Sequence, residues 1–159
     1  MGRQRQEIAS ELAGDIDRYN DLLDASKQRI QSALAASGTS LRTISGVGPI
    51  TAAMIIGESG NIERFASKHH FASYNATAPV EASSGSKVRH RLNQRGNRKL
   101  NWALHVIAIS QLSHDTAGRE FFDRKVAEGK TTKEAIRSLK RQISNVVYRH
   151  LVADARQQS

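Results

Sequence analysis

Ser83 and Ser84 stand directly before Gly85 in the stretch Glu81-Ala82-Ser83-Ser84-Gly85-Ser86, and a strongly basic run begins at the next residue, Lys87. A serine hydroxyl attacks a phosphodiester only when it is exposed, aimed in line and flanked by positive charge or metal that stabilises the pentacovalent state. A glycine-flanked serine beside Lys87, Arg89 and Arg91 meets the charge requirement. The same six residues also read as an ordinary flexible loop, and spacing alone does not separate the two readings.

The basic run extends from Lys87 to Lys99 and holds six Lys or Arg among thirteen residues, with no acid between them. Lys87, Arg89, Arg91, Arg95, Arg98 and Lys99 are interleaved with Asn, Gln and Gly. A solvated helix face usually alternates signs, whereas this run carries one sign throughout. It therefore points to a nucleic-acid backbone, each phosphate adding a salt-dependent increment to affinity. No aromatic residue lies in the run, so stacking on single strands has no support.

A third stretch is Leu41-Arg42-Thr43-Ile44-Ser45-Gly46-Val47-Gly48-Pro49-Ile50-Thr51-Ala52-Ala53. A short helix ending at Ile44, a Gly-Val-Gly turn and a helix opening at Pro49 make a helix-hairpin-helix pattern. Gly46 and Gly48 permit close approach of a phosphate, and the free N–H groups of the second helix would face it. Such a pattern contacts backbone without reading bases. The alternative is a helical corner used only for packing.

Histidines and carboxylates give no comparable signal. His69 and His70 are adjacent, and His90, His105, His114 and His150 show no metal-ligand spacing. His105 and His150 are expected to pack against apolar faces. Glu58, Glu63 and Glu81 are scattered, so no two-metal cluster is legible.

The elements that must position these residues are almost all helical. One long helix is expected over Gln4–Ala36, with Ile16, Tyr19, Leu23, Ser26, Ile30 and Ala33 on a heptad seam that Ile8 and Leu12 continue after a slip. It reads either as an amphipathic helix packed on its own domain or as a coiled coil. Further helices are expected over Pro49–Ser59, from Ser67 to about Tyr74, from about Asn97 to Leu112 and from about Thr116 to Glu128. A last helix opens on the capping box Thr131/Glu134 and runs to about Ala153. It is expected to bury Ile136, Leu139, Ile143, Val146 and Val147 and to expose Lys133, Arg137, Lys140 and Arg141. Residues 75–96 look irregular, with at most a small hairpin. The fold class is all-α: a coiled-coil linker helix over residues 1–38, then a helical domain over 39–159 that holds the helix-hairpin-helix and the serine loop.

Composition agrees with a polyanionic partner. The 159 residues carry a formal net charge of +9 and a pI near 10.4, and a basic field concentrates phosphate backbones. Residues 1–40 hold five Lys/Arg against six Asp/Glu, and residues 41–159 hold nineteen against nine. A membrane is the competing polyanion, but no apolar stretch is long enough to span one and no helix pairs a basic face with aromatics. The absence of cysteine excludes disulfides and thiolate metal sites and permits a reducing cytoplasm. The sequence begins without a secretory signal and inside a helical pattern, as expected for part of a longer protein.

Several stretches occur together in one order: Ser45 to Ala52, Ile62-Glu63-Arg64-Phe65, Tyr74 to Pro79, Ser83-Ser84-Gly85, and Arg89 to Arg98. In this the chain, from about residue 41 to its end, resembles the carboxy-terminal transposase domain of a bacterial insertion-sequence family. That family includes the pilin-gene invertase and transposases guided by a structured bridge RNA. Residues 1–40 resemble the coiled-coil linker that precedes the domain. The resemblance implies a DNA transposase or site-specific recombinase of the bacterial cytoplasm. Its amino-terminal RuvC-like domain bears four acids that hold Mg2+, and its serine forms a transient phosphoserine link with DNA. The family's serine falls on Ser84, with Ser83 the adjacent alternative. The resemblance further implies DNA and a structured guide RNA as partners and a homo-oligomer, dimer or tetramer, in the full-length enzyme. No cofactor is expected in this chain by itself, which lacks the acidic domain and is expected to bind nucleic acid but to cut poorly or not at all. Two other readings stand beside this one: a non-catalytic helix-hairpin-helix module that anchors a larger assembly, and a dimerisation piece acting through the first helix.

Overall fold

The computed structural model describes residues 2–81, 90–91 and 96–158. The expectations on Ser83, Ser84, Lys87, Arg89 and Arg95 fall outside these residues. The chain divides into two compact units, Met1–Ser37 and Gly38–Ser159.

The first unit is a single helix, α1 (Gly2–Ala36). It contains no proline, and short-range ion pairs support its surface, Arg18 to Asp15 at 3.0 Å and Lys27 to Asp24 at 2.8 Å. Pairs of this kind contribute only about 0.2–0.5 kcal/mol each. Its apolar residues Ile8, Leu12, Ile16, Tyr19, Leu22 and Leu23 are all more than half exposed.

The second unit starts with a 3-10 turn, Ser40–Thr43, whose cap Thr39 accepts from Leu41 N. Helix α2 (Pro49–Ser59) has proline in its first turn, where a missing N–H costs nothing. A 3-10 turn at Ile62–Arg64 and α3 (Lys68–Tyr74) follow, the latter capped by Ser67 Oγ. The two-residue strands β1 (Val80–Glu81) and β2 (His90–Arg91) pair antiparallel, Val80 opposite Arg91. Helix α4 (Arg98–Leu112) is capped by Asn97, and α5 (Ala117–Ala127) by Thr116. Helix α6 (Thr132–Gln158) opens on a reciprocal box: Glu134 Oε2 accepts from Thr131 N at 2.9 Å and Thr131 Oγ1 accepts from Glu134 N at 3.4 Å. The described residues are thus all-helical apart from one minimal ladder.

Helix α4 lies at the centre, packed against α2, α5 and α6. Leu100, Ala103, Leu104, Ile107 and Ala108 are fully buried, and burying a leucine or isoleucine contributes about 1.5–3 kcal/mol. Phe65, Phe71, Tyr74 and Tyr148 form an aromatic group with ring centroids 5.2–5.7 Å apart. Asp154, largely buried on α6, accepts from Thr39 Oγ1 at 2.9 Å and Ser40 N at 3.0 Å. It ties the end of the unit to its beginning.

Three details differ from the sequence reading. Helix α6 continues to Gln158 instead of ending near Ala153. Its buried stripe includes Ala135 and Ser144, whereas Ile136 and Val146 are only half-buried, and Lys140 and Arg141 are half-buried instead of exposed. Ser144 is buried because Asn75, at the end of α3, donates to its Oγ at 2.7 Å. His105 differs too, being exposed on α4, while half-buried His150 forms a 2.7 Å hydrogen bond with Ser40 Oγ.

Candidate nucleic-acid interface

The two glycines of the turn before α2 have different surroundings. Gly46 adopts φ +82°, and a Cβ there would meet Ile107 O at 3.0 Å and Gln111 Cγ at 3.3 Å. Buried Gln111 donates to Ser45 O at 2.7 Å, fastening the turn to α4. A Cβ at Gly118 would collide with the Gln111 amide oxygen, so the start of α5 closes the same joint. Gly46 is therefore a packing residue. Gly48, by contrast, has open space at its Cα and caps α2 with its backbone. The first unsatisfied N–H groups of α2 belong to Ile50 and Thr51, because Pro49 has none and Ala52 already donates to Gly48 O at 2.9 Å. Gly48 and these donors are the part of the turn that an anion could approach.

The carboxy-terminal end of the basic run is held rigidly. Gly96 sits against the α3 terminus, where a Cβ would lie 2.6 Å from Ala76 Cβ and 2.9 Å from Tyr74 O. Asn97 N donates to Tyr74 O at 2.6 Å. The Asn97 side chain caps α4 through Leu100 N and donates to Glu58 Oε2 at 2.7 Å and Tyr74 Oη at 3.1 Å. Tyr74 Oη in turn donates to Glu58 O at 3.0 Å. Arg64 stacks on the rings of Phe65 and Tyr74, 4.4 and 4.5 Å from their centroids, and its Nε donates to Ser59 O at 3.1 Å. Lys99 pairs with Glu58 at 3.2 Å. The Asn97 hydrogen bond, then Lys99, hold the Glu58 carboxyl below the usual glutamate range.

This arrangement sorts the sequence-predicted cations. Lys99 is exposed but shares its charge with Glu58. Arg98 is exposed and forms no ion pair among the described residues. Arg91 contributes its backbone to β2, opposite Val80. Lys87, Arg89, Arg95, Ser83 and Ser84 lie outside the described residues. Their flanking segments converge through β1, β2 and the Gly96 contact.

Sequence reasoning missed two features. Glu58, read as an isolated acid, is the centre of a clamp joining α2, the end of α3 and the start of α4. No local signal announces a contact between residues 39 positions apart. The second is the setting of Lys140, whose Nζ donates to Asn101 Oδ1 at 2.7 Å. Beside it, Arg141 donates to Lys68 O at 3.3 Å and meets His69 Nδ1 at 3.1 Å.

Among the described residues no three His, Asp or Glu side chains gather to hold a metal ion, so the residues on view do not fit a magnesium site. No described helix is long and apolar enough to cross a membrane.

The fold and its cationic surfaces define a basic, all-helical unit with a glycine turn that offers backbone donors to an anion. The sequence model of the transposase IS116/IS110/IS902 family matches residues 38–123, more than half of the chain, and the chain belongs to that family. It is 32% identical over 144 residues to the insertion element IS110 uncharacterized 43.6 kDa protein of Streptomyces coelicolor, covering 89% of this chain and 36% of that protein. It is 26% identical over 109 residues to the insertion element IS116 uncharacterized 44.8 kDa protein of Streptomyces clavuligerus, covering 68% and 27%. A third relative, the insertion element IS900 uncharacterized 42 kDa protein of Mycobacterium paratuberculosis, is 32% identical over 91 residues, covering 56% and 23%. The chain thus spans about a third or less of the length of these curated relatives.

Proposed function

We propose that this chain is the helical, DNA-handling part of a transposase that cuts and rejoins DNA through a serine nucleophile. The observation that carries the reading is the family match over residues 38–123, which encloses the Gly46–Gly48 turn, Ser83, Ser84 and the whole basic run. On this reading the Ser84 hydroxyl attacks a backbone phosphorus. An Oγ–P bond forms, one P–O bond to deoxyribose breaks, and the leaving strand end keeps its oxygen as a hydroxyl. Arg98 and the cations of the run grip the flanking phosphates, and Gly48 with the first N–H groups of α2 adds a helix-hairpin-helix contact. The clamp around Glu58 and Asn97 fixes the end of the run relative to α4, which holds the geometry of attack.

Magnesium belongs to this proposal only through acids that the longer protein would supply. Self-association, a structured guide RNA and a cytoplasmic setting are likewise parts of the proposal that concern the longer protein.

The test is Ser84→Ala in the full-length protein, assayed for strand cleavage and for duplex binding. Cleavage is expected to fall by on the order of a thousandfold or more with binding unchanged. A parallel Ser83→Ala variant should retain cleavage; the reverse pattern would move the nucleophile by one residue. Wild-type cleavage by both variants would discard the nucleophile and leave a non-catalytic anchor on nucleic acid.

A further inference from the structure

Helix α6 presents Arg137, Lys140 and Arg141 at positions i, i+3 and i+4, spacing that places side chains on one face. Alongside them lie Lys68 and His69 at the start of α3 and Asn101 and His105 on α4. Among the described residues, no carboxylate pairs with Lys140, Arg141 or Lys68, and the acid that faces Arg137 is Glu134, one turn before it and engaged by Thr131. Arg141 is anchored on the Lys68 carbonyl and the His69 ring.

Lys140 is the unusual member. Its side chain is half-buried, and its ammonium, with three donors, has one acceptor among the described residues, Asn101 Oδ1. Burial, and then the nearby charge of Arg137, push its pKa down from the ordinary lysine value. A partly desolvated cation with a cationic neighbour and no counter-ion is destabilising by itself, and a bound anion relieves both the repulsion and the lost solvation. The position of Lys140 adds a second argument. Asn101 Nδ2 donates to Asn75 O at 2.8 Å. Buried Asn75 holds the turn ahead of β1, accepting from Thr77 N at 3.2 Å and donating to Ser144 Oγ at 2.7 Å. Two hydrogen bonds therefore separate the Lys140 ammonium from the turn that leads toward Ser84.

We propose that Lys140, flanked by Arg137 and Arg141, is a phosphate-binding site for the backbone of duplex DNA, separate from the basic run at 87–99. It rests on the reading of the chain as a DNA-handling domain and deepens it. The site on α6 is built into the packing of α4 against α6.

The test is Lys140→Met in this chain, titrated by fluorescence anisotropy with a mixed-sequence duplex over a salt series. The logarithmic salt slope is expected to become shallower by about 0.9, the loss of one phosphate contact. The melting temperature should hold or rise, because methionine removes a half-buried charge. An unchanged slope overturns the proposal. Acetylation of the wild-type protein gives a readout free of any folding defect. Duplex should protect Lys140 while the exposed Lys130 stays reactive, and equal labelling of Lys140 with and without duplex overturns the site. A slope change on structured RNA with none on duplex also overturns the assignment to DNA. If the wild-type chain binds duplex at no salt concentration, the DNA-handling reading fails as a whole. A binding chain whose Lys140→Met variant keeps the wild-type slope overturns only the α6 site.

Discussion

Helices α1 and α4 both carry leucines and isoleucines at helical spacing, yet their apolar residues are in opposite situations. In α4, Leu100, Leu104 and Ile107 are fully buried, while in α1, Ile16, Leu22 and Leu23 are 56–61% exposed. The polar contacts divide the same way. Arg18–Asp15, Lys27–Asp24 and Arg29–Ser26 on α1 join residues three apart on its own surface, whereas the hydrogen bonds that fasten α4 to its neighbours join residues 23 to 66 apart. An apolar stripe makes a helix able to pack, but only a complementary surface turns it into stability, and an isolated helix gains little from propensity and short-range ion pairs. The residues offered to nucleic acid follow this difference. Arg98, Lys140 and Gly48 are all set on the densely cross-linked unit, where a rigid base can hold charges at fixed spacing.

The comparison can be broken by substitutions that affect one unit only. The largest effect is expected from Gly96→Ala, because the new Cβ would fall within 2.7 Å of Ala76 N and 2.9 Å of Tyr74 O. Urea denaturation should show the 38–159 unit losing about 3 kcal/mol; a wild-type midpoint would mean that this junction gives way freely. Asn75→Ala comes next. It leaves Ser144 Oγ and Thr77 N without the partners they have at 2.7 and 3.2 Å, and the same assay should register a loss of about 2 kcal/mol. Leu23→Gln in α1 should have the smallest effect. At concentrations where the chain is monomeric, the main unfolding transition should move by less than about 0.5 kcal/mol. A loss larger than about 1 kcal/mol, the lower edge of a core effect, would show that the seam is buried in solution and erase the contrast.

Much of the fold is legible because its signals are local. Pro49 and Gly60 bracket α2, Ser67, Asn97 and Thr116 each cap the helix that follows, and Thr131 with Glu134 forms its box within one turn. Each such signal acts over three or four residues, where chain connectivity already brings the groups together. Of the candidate site, the turn and the basic run stand out by type and spacing, whereas Ser83 and Ser84 are singled out by the family resemblance and not by spacing. The division of work between Gly46 and Gly48 does not stand out, because it depends on which of them meets Ile107 and Gln111. Lys140 misled for a related reason. A lysine on the polar side of an amphipathic pattern is expected in solvent, and only the approach of Asn101 from α4 half-buries it.

The sequence by itself determined that the chain is helical, that its charge lies beyond residue 40, and where each helix starts, since these follow from local sterics, capping and counting of charges. Tertiary structure alone decided that Glu58 neutralises Lys99, that Arg64 is held between Phe65 and Tyr74, and that Lys140 meets Asn101 and no carboxylate among the described residues. Whether a charge is paired, stacked or left for a ligand depends on residues distant in sequence that packing brings within a few ångströms, where Coulomb interaction and desolvation are strongest.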